Sequence, residues 1–374
     1  MGVNLEAILQ ETLMQRSSLP PPIHPPIPDW RTLAEDDQLR LYQRCSTLMG
    51  TTRLWWPLIE PDRKFVDGWH LGCIAEHLEE VARPAGCLKN IIINVPPRFS
   101  KSVETCVYFF THVWATRPAS RWIYSSFASD NVRRDSIRCR DIVQHPLYRY
   151  LWNIDLKDDQ NTQTRFTNQH QGFRYGVTVA GQGMGEGAEF IVVDDPQSPK
   201  QSVSPAERAK VIHWWRSTMS RRSIDERSVR KIIIMQRLNE MDLTGYLMAE
   251  ETGWDHLVLP MRYEPRRYLF NAGPVYTGGE PKPDAVVEPV SAAEVVNDVS
   301  NLMDAFTEAT TGNAAMIPKE AIRPTALQLK RPHLIDGPEG SGRSQPGDLL
   351  WPERFPEEVV VKAEQDLGPE QPGQ

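Results

Sequence analysis

Between residues 90 and 263 the chain alternates short apolar runs with stretches of helical period. Asn90-Ile-Ile-Ile-Asn-Val95, Arg121-Trp-Ile-Tyr-Ser-Ser126, Phe173 to Val179, Phe190-Ile-Val-Val-Asp194 and Lys231-Ile-Ile-Ile-Met-Gln236 read as strands. Helical runs are predicted over Val103 to Trp114, from a cap at Ser129-Asp130 to Gln144 with Pro146 as the stop, and from about Glu240 to Glu251. Ser204-Pro205-Ala206-Glu207 pairs a capping box with a proline at the first helical position, so a helix should run from there to about Arg222. Upstream, Trp69, Ile74, Leu78 and Val81 share one face of a helix over 68–83. Strands that are apolar on successive residues must be covered on both faces. The pattern therefore predicts an α/β fold with a mostly parallel central sheet flanked by helices.

Outside that block the texture changes. Residues 1–50 read as a helical piece with a polyproline-type spacer, Leu19-Pro-Pro-Pro-Ile-His-Pro-Pro-Ile-Pro28. The repeating strand–helix domain is assigned to 51–265. Residues 266–347, rich in Gly, Pro and Ala, read as a loosely ordered insertion with one modest helical stretch near 291–308. Residues 348–374 close that domain: Leu349-Leu-Trp-Pro-Glu-Arg-Phe-Pro356 tightens the pattern again before a polar, Pro/Gly-rich tail. No internal repeat is visible.

Composition fits a soluble globular protein, with 374 residues, 40% hydrophobic and 24% charged. No apolar run approaches the ~20 residues that span a bilayer, and the N-terminus lacks the layout of a signal peptide. The five cysteines are scattered and form no C-x-x-C pair, so they read as reduced thiols rather than a zinc site. A net charge of −7 argues against wholesale coating of nucleic acid. The distribution is uneven, however. Residues 98–149 carry nine Lys/Arg against four Asp/Glu, residues 207–237 nine against three, and residues 264–374 ten against eighteen. Basic segments inside an acidic chain leave room for a local DNA track, with solvated helix faces as the equally available reading of each arginine.

The candidate chemistry starts at Val95-Pro-Pro-Arg-Phe-Ser-Lys-Ser102. Strand, tight loop, Lys-Ser and helix is the layout of a phosphate-binding loop, in which backbone N–H groups and a helix N-terminus cradle phosphate oxygens. Pro97, Arg98, Phe99, Ser100, Lys101 and Ser102 are the expected nucleotide-binding residues. Lys101 would reach the β- and γ-phosphates, and the Ser102 hydroxyl would ligate Mg²⁺. Measured against G-x-x-x-x-G-K-[ST], Val95 replaces the first glycine and Ser100 the second. A proline-stiffened surface turn is the plainer reading of the loop alone.

A second half-motif lies about ninety residues on. Phe190-Ile-Val-Val-Asp-Asp195-Pro196 is an apolar strand ending in two carboxylates. A site for Mg-ATP needs one carboxylate at a strand end to hold the metal and another to polarise the attacking water. Asp194 is assigned to the metal and Asp195 to the base. The two half-motifs in this order point to a P-loop nucleoside triphosphatase.

Several segments together resemble the large terminase subunit, the DNA-packaging ATPase of tailed bacteriophages. They are Pro96-Pro97-Arg98 with Lys101-Ser102, the Gly-rich approach Gly181 to Gly187, Asp194-Asp195-Pro196, and Gln236-Arg237 followed by Asp242-Leu243-Thr244-Gly245. The Leu349-Leu-Trp-Pro-Glu-Arg-Phe355 block also resembles the family's segment after its ATPase core. The resemblance covers roughly residues 65–265 and 348–368. It implies an additional-strand (ASCE-type) P-loop fold, ATP and Mg²⁺ as cofactors, and a motor that moves duplex viral DNA into a procapsid. It further implies a homo-oligomeric ring on the procapsid, contacts with a portal protein and a small terminase subunit, and a place in the host cytoplasm with no membrane. In that family the phosphate loop carries an arginine, so Arg98 would reach the γ-phosphate or couple the loop to hydrolysis. Gln236 stands where the family has Thr before Arg, and would orient the attacking water. The family also takes an arginine from a neighbouring subunit. In the cluster Arg133, Arg134, Arg138 and Arg140, the expected donors are Arg138 and Arg140, against a DNA-facing or structural helix.

The chain departs from the family in having no segment that reads as the C-terminal nuclease, so DNA cutting is not expected of this polypeptide. Two alternatives stay open at the sequence level. One is a helicase-like P-loop ATPase. The other is a split or decayed fragment that binds a partner without turnover.

Overall fold

The structure is a computed structural model. It describes residues 24–262 except 85, 87, 180 and 182–184, together with 343, 345 and 347–367. The leading proline run to residue 23, the helical stretch near 291–308, nearly all of the 266–347 segment and the last seven residues lie outside the described residues.

In chain order the described elements begin with α1 (Glu35–Arg44), α2 (Leu48–Ile59), α3 (Trp69–Ala82) and strand β1 (Asn90–Asn94). The long helix α4 follows, continuous through Lys101–Val103, a π-turn at Glu104–Tyr108, and Phe109–Thr116. Next come β2 (Arg121–Ser126), α5 (Ser129–Gln144), α6 (Pro146–Trp152), β3 (Leu156–Asn161), β4 (Arg165–Asn168), β5 (Phe173–Thr178) and β6 (Phe190–Asp194). The chain continues with α7 (Pro199–Ser202), α8 (Pro205–Trp214), β7 (Arg230–Met235), α9 (Leu243–Glu250), β8 (Trp254–Val258) and α10 (Glu357–Leu367).

The strands form one sheet of eight in the order β3-β4-β5-β2-β6-β7-β1-β8. The pairings from β5 through β8 are parallel, and β3-β4-β5 are antiparallel. Period-2 alternation sends successive residues of the buried strands to opposite faces. Ile91, Ile93, Ile232, Ile234, Phe190 and Val192 face one core, packed by α2 to α6. Ile92, Ile233, Met235, Ile191 and Val193 face the other, packed by α8 and α9. Both faces are therefore apolar, which is why these strands read as unbroken Ile/Val runs.

Three expectations shift. The division at residue 50 runs through α2, whose Leu48, Met49, Leu54 and Trp55 belong to the main core, so this helix is part of the domain. Pro146 does not merely stop α5; it is the first residue of α6, with the His145 side chain capping. Helix α8 leaves regular geometry at Trp215, where a π-turn carries it to Met219. Strands β3, β4 and β8 had no clear sequence signal. Strand β3 is Leu-Lys-Asp-Asp-Gln-Asn on an exposed edge, where charge blocks further pairing. The free cysteines 45, 73, 106 and 139 are all buried. Among the described residues no helix is long and apolar enough to cross a membrane.

Candidate nucleotide site

The site forms where β1, β7 and β6 end side by side. Strand β7 lies between the strand that leads into the loop and the strand that carries the carboxylates. Parallel register brings Asn94 opposite Met235, and Ile234 opposite Asp194, so residues distant in sequence finish at one edge. Asn94 fastens this edge: its amide donates to the Met235 carbonyl at 3.1 Å and to Thr244 Oγ1 at 3.2 Å. Its carbonyl oxygen lies 2.7 Å from His256 Nε2 on β8.

After Val95 the chain turns through Pro96 to Ser100 and enters α4 at Lys101. Arg98 has φ 70° and Ser100 φ 59°, the left-handed region that normally calls for glycine. Each costs an L-residue roughly 1–2 kcal/mol, so the loop stores strain. Asp195 has φ 40°, placing another such residue across the site. A relaxed surface turn would not hold non-glycine residues at these angles. Ser100 makes no side-chain cap, so the first amides of α4 point into the loop with no serine oxygen on them. Those amides carry the partial positive charge of the helix terminus.

The two half-motifs meet directly. Lys101 is buried, and its ammonium lies 3.0 Å from Asp195 Oδ2. The other oxygen, Asp195 Oδ1, accepts the backbone N–H of Gln236 at 3.0 Å. Ser102 Oγ donates to Asp194 Oδ1 at 2.9 Å. Tyr124 donates to Asp135 Oδ2 at 2.9 Å and lies 3.4 Å from Asp194 Oδ2. Burial pushes the Asp194 carboxyl up to about 8, and the neighbouring Asp195 charge adds to this, while Lys101 and Ser102 act the other way. A buried carboxyl and a hydroxyl at hydrogen-bond distance are an all-oxygen donor pair suited to a hard divalent cation. The open helix terminus, the buried ammonium and this oxygen pair fit a Mg²⁺-nucleoside triphosphate.

The remaining expected residues separate. Arg98 is exposed and makes no ion pair or hydrogen bond among the described residues. Pro97 is exposed at the loop crest. The Gln236 backbone is part of the site, and its half-buried side chain makes no hydrogen bond among the described residues. Arg237 and Asp242 pair at 3.1 Å, and Asp242 caps α9 through the Gly245 N–H, so this motif is a welded turn behind the site. On α5, Arg138 is held by Glu60 at 2.6 Å and lies 4.0 Å from Asp135; donation to a neighbour would first break that pair. Arg140 carries neither ion pair nor hydrogen bond among the described residues. Trp214 and Trp215 are buried in the second core.

Phe99 is a loop residue whose placement the sequence did not reveal. Its side chain points inward, fully buried, stacked on Phe355 at 4.8 Å and close to Trp351 at 5.8 Å. His70 Nε2 lies 3.3 Å from the Phe99 carbonyl oxygen, and burial lowers that imidazole to about 3, so it is neutral and its ring nitrogen serves structure. Arg354 donates to Ser100 Oγ at 3.3 Å, from 254 residues away in sequence. An aromatic-rich Trp-Pro-Glu-Arg-Phe segment was the only signal available for this contact.

No protein-family model matches the chain, and no curated protein matches it. Among solved structures, the large terminase of bacteriophage HK97 aligns with a TM-score of 0.33 and 9% identity, over 56% of this chain. The aligned part is 42% of that terminase, and the likeness is too slight to argue from.

Proposed function

We propose that this chain binds Mg-ATP in the loop between β1 and α4 and hydrolyses it, as the ATPase part of a terminase-like motor that translocates duplex DNA. The observation that carries the proposal is the meeting of Lys101 and Ser102 with Asp195 and Asp194 across the intervening strand β7. One inserted strand between loop and carboxylates is the additional-strand form of the P-loop fold. In this reading Lys101 and the amides of α4 hold the phosphates, and Ser102 and Asp194 hold the magnesium. A Mg²⁺ held there would supply Lewis-acid screening of the phosphate charge. Asp195, pinned by Lys101 and the Gln236 amide, has the position to polarise a water. Gln236 has a side chain without a hydrogen bond among the described residues that could orient that water, and the Arg98 side chain is exposed on the loop.

The DNA half of the proposal rests on the quoted motifs and on the exposed cations Lys210, Arg216, Arg221 and Arg227 on and after α8. The portal, the small subunit, the ring and the phage setting come with the terminase reading and stand with it. Hydrolysis of ATP by the purified chain, with and without duplex DNA, tests both halves. Magnesium-dependent turnover raised by DNA is expected. Absence of turnover under both conditions, with the chain folded, would remove the motor reading.

A further inference from the structure

The segment Leu349 to Phe355 reaches back across the whole domain to clasp the phosphate loop. Leu350 and Trp351 are buried in the main core, and the Trp351 indole donates to the Asp67 carbonyl at 3.2 Å. Trp351 and Phe355 enclose the Phe99 ring, so the clasp grips the loop residue that points inward. Arg354 lies between those two aromatics in sequence and packs on both. Its guanidinium carbon lies 4.9 Å from the Trp351 ring and 5.6 Å from the Phe355 ring.

The Arg354 guanidinium has no ion-paired carboxylate among the described residues; its one hydrogen bond there is to the neutral Ser100 hydroxyl at 3.3 Å. A half-buried guanidinium with five donors, held beside two rings and with a neutral partner, is under-used. Burial and the nearby Arg63 charge both disfavour its charged form, with the Glu60 carboxylate acting the other way. Ser100 immediately precedes Lys101, at the mouth of α4, where phosphate oxygens are cradled. The same contact accounts for a serine where the loop pattern has glycine: the side chain that strains the backbone is the one that holds Arg354.

We propose that Arg354 is a second, same-chain cation of the nucleotide site, which leaves the Ser100 hydroxyl to bind a phosphate oxygen of the triphosphate. This rests on the reading of the loop as a nucleotide site. Guanidinium suits the task because its planar donors match phosphate oxygens in pairs. The clasp would then follow loop occupancy, since the arginine and the two rings lie on one short segment.

The test uses the full chain, with fluorescent ATP and ADP analogues and Mg²⁺ as probes. Arg354→Gln is expected to weaken ATP at least tenfold and ADP by a smaller factor. Arg354→Lys, which keeps the charge and loses the paired donors, should recover part of the loss. Ser100→Ala, which removes the hydrogen bond and keeps the guanidinium, should cost ATP affinity clearly less than Arg354→Gln does. Melting temperatures of the variants report folding. If Arg354 is only a structural pin, Ser100→Ala will match Arg354→Gln and lysine will not rescue; either result overturns the proposal. Should Arg354→Gln fail to fold, the lysine and Ser100→Ala comparison decides on its own. Tight ATP binding lost in Lys101→Ala but untouched in Arg354→Gln sinks this inference and leaves the site reading standing. A parent chain that binds neither nucleotide removes both.

Discussion

Replacing Arg98 by glycine should make the protein more stable and less active together. Arg98 holds φ 70° with an exposed side chain that touches no partner among the described residues. The left-handed backbone costs an L-residue roughly 1–2 kcal/mol, which glycine does not pay. Glycine also loosens the unfolded chain, at a cost of about 0.4–1 kcal/mol. The net expectation is about 0.5–1 kcal/mol of added stability, or about 2 °C in melting temperature for a chain of this size. Arg98→Ala keeps the strained backbone and loses only the guanidinium, so it should melt near the parent. The Gly-minus-Ala difference isolates the backbone. Both variants should hydrolyse ATP ten- to a hundredfold more slowly, because a charge-assisted phosphate contact is worth about 1.5–3 kcal/mol. The assay is a paired melt and steady-state phosphate release on the same preparations. Glycine no more stable than alanine would refute the strain argument, and unchanged hydrolysis would refute the catalytic one.

Two further outcomes are expected. His112 is buried against Thr51 Oγ1 at 3.0 Å, and burial lowers it from the usual value to about 4. A lowered histidine contributes stability above pH 6.5 that is lost as pH falls towards 4. The stability difference between parent and His112→Gln should therefore shrink by about 1.4 kcal/mol per pH unit across that window, measured by urea unfolding, and a constant difference would contradict the assignment. Duplex DNA affinity should fall log-linearly with salt and show no sequence preference, since a packaging motor must grip every sequence; a flat salt dependence would exclude the exposed arginines as the contact.

The strands of the sheet centre were legible because burial on both faces leaves an unmistakable apolar run, as in Ile91-Ile-Ile93 and Ile232-Ile-Ile234. Strand β3 was not, because an edge strand needs only hydrogen bonds and can be written in charged residues. The sequence assigned Lys101 and Asp195 to one site but not to an ion pair, and β7 between them could not be read, since strand order is set by crossover connections rather than by local pattern. The Arg138 ion pair with Glu60 was hidden for a similar reason: sequence shows charge on α5 but not what faces it from the end of α2. The clasp on Phe99 lies beyond local reasoning, because its halves are separated by about 250 residues of chain.

The central claim is that the loop and the two carboxylates form one ATP-hydrolysing site, and a comparison of Lys101→Ala with Asp195→Asn tests it most directly. The measurement is Mg-ATP binding by titration beside single-turnover hydrolysis on each variant. The account predicts that Lys101→Ala loses binding and turnover together, because the phosphate cation is gone. It predicts that Asp195→Asn keeps binding and loses turnover, because an amide cannot take a proton from water. Two variants that both bind and turn over like the parent would contradict it.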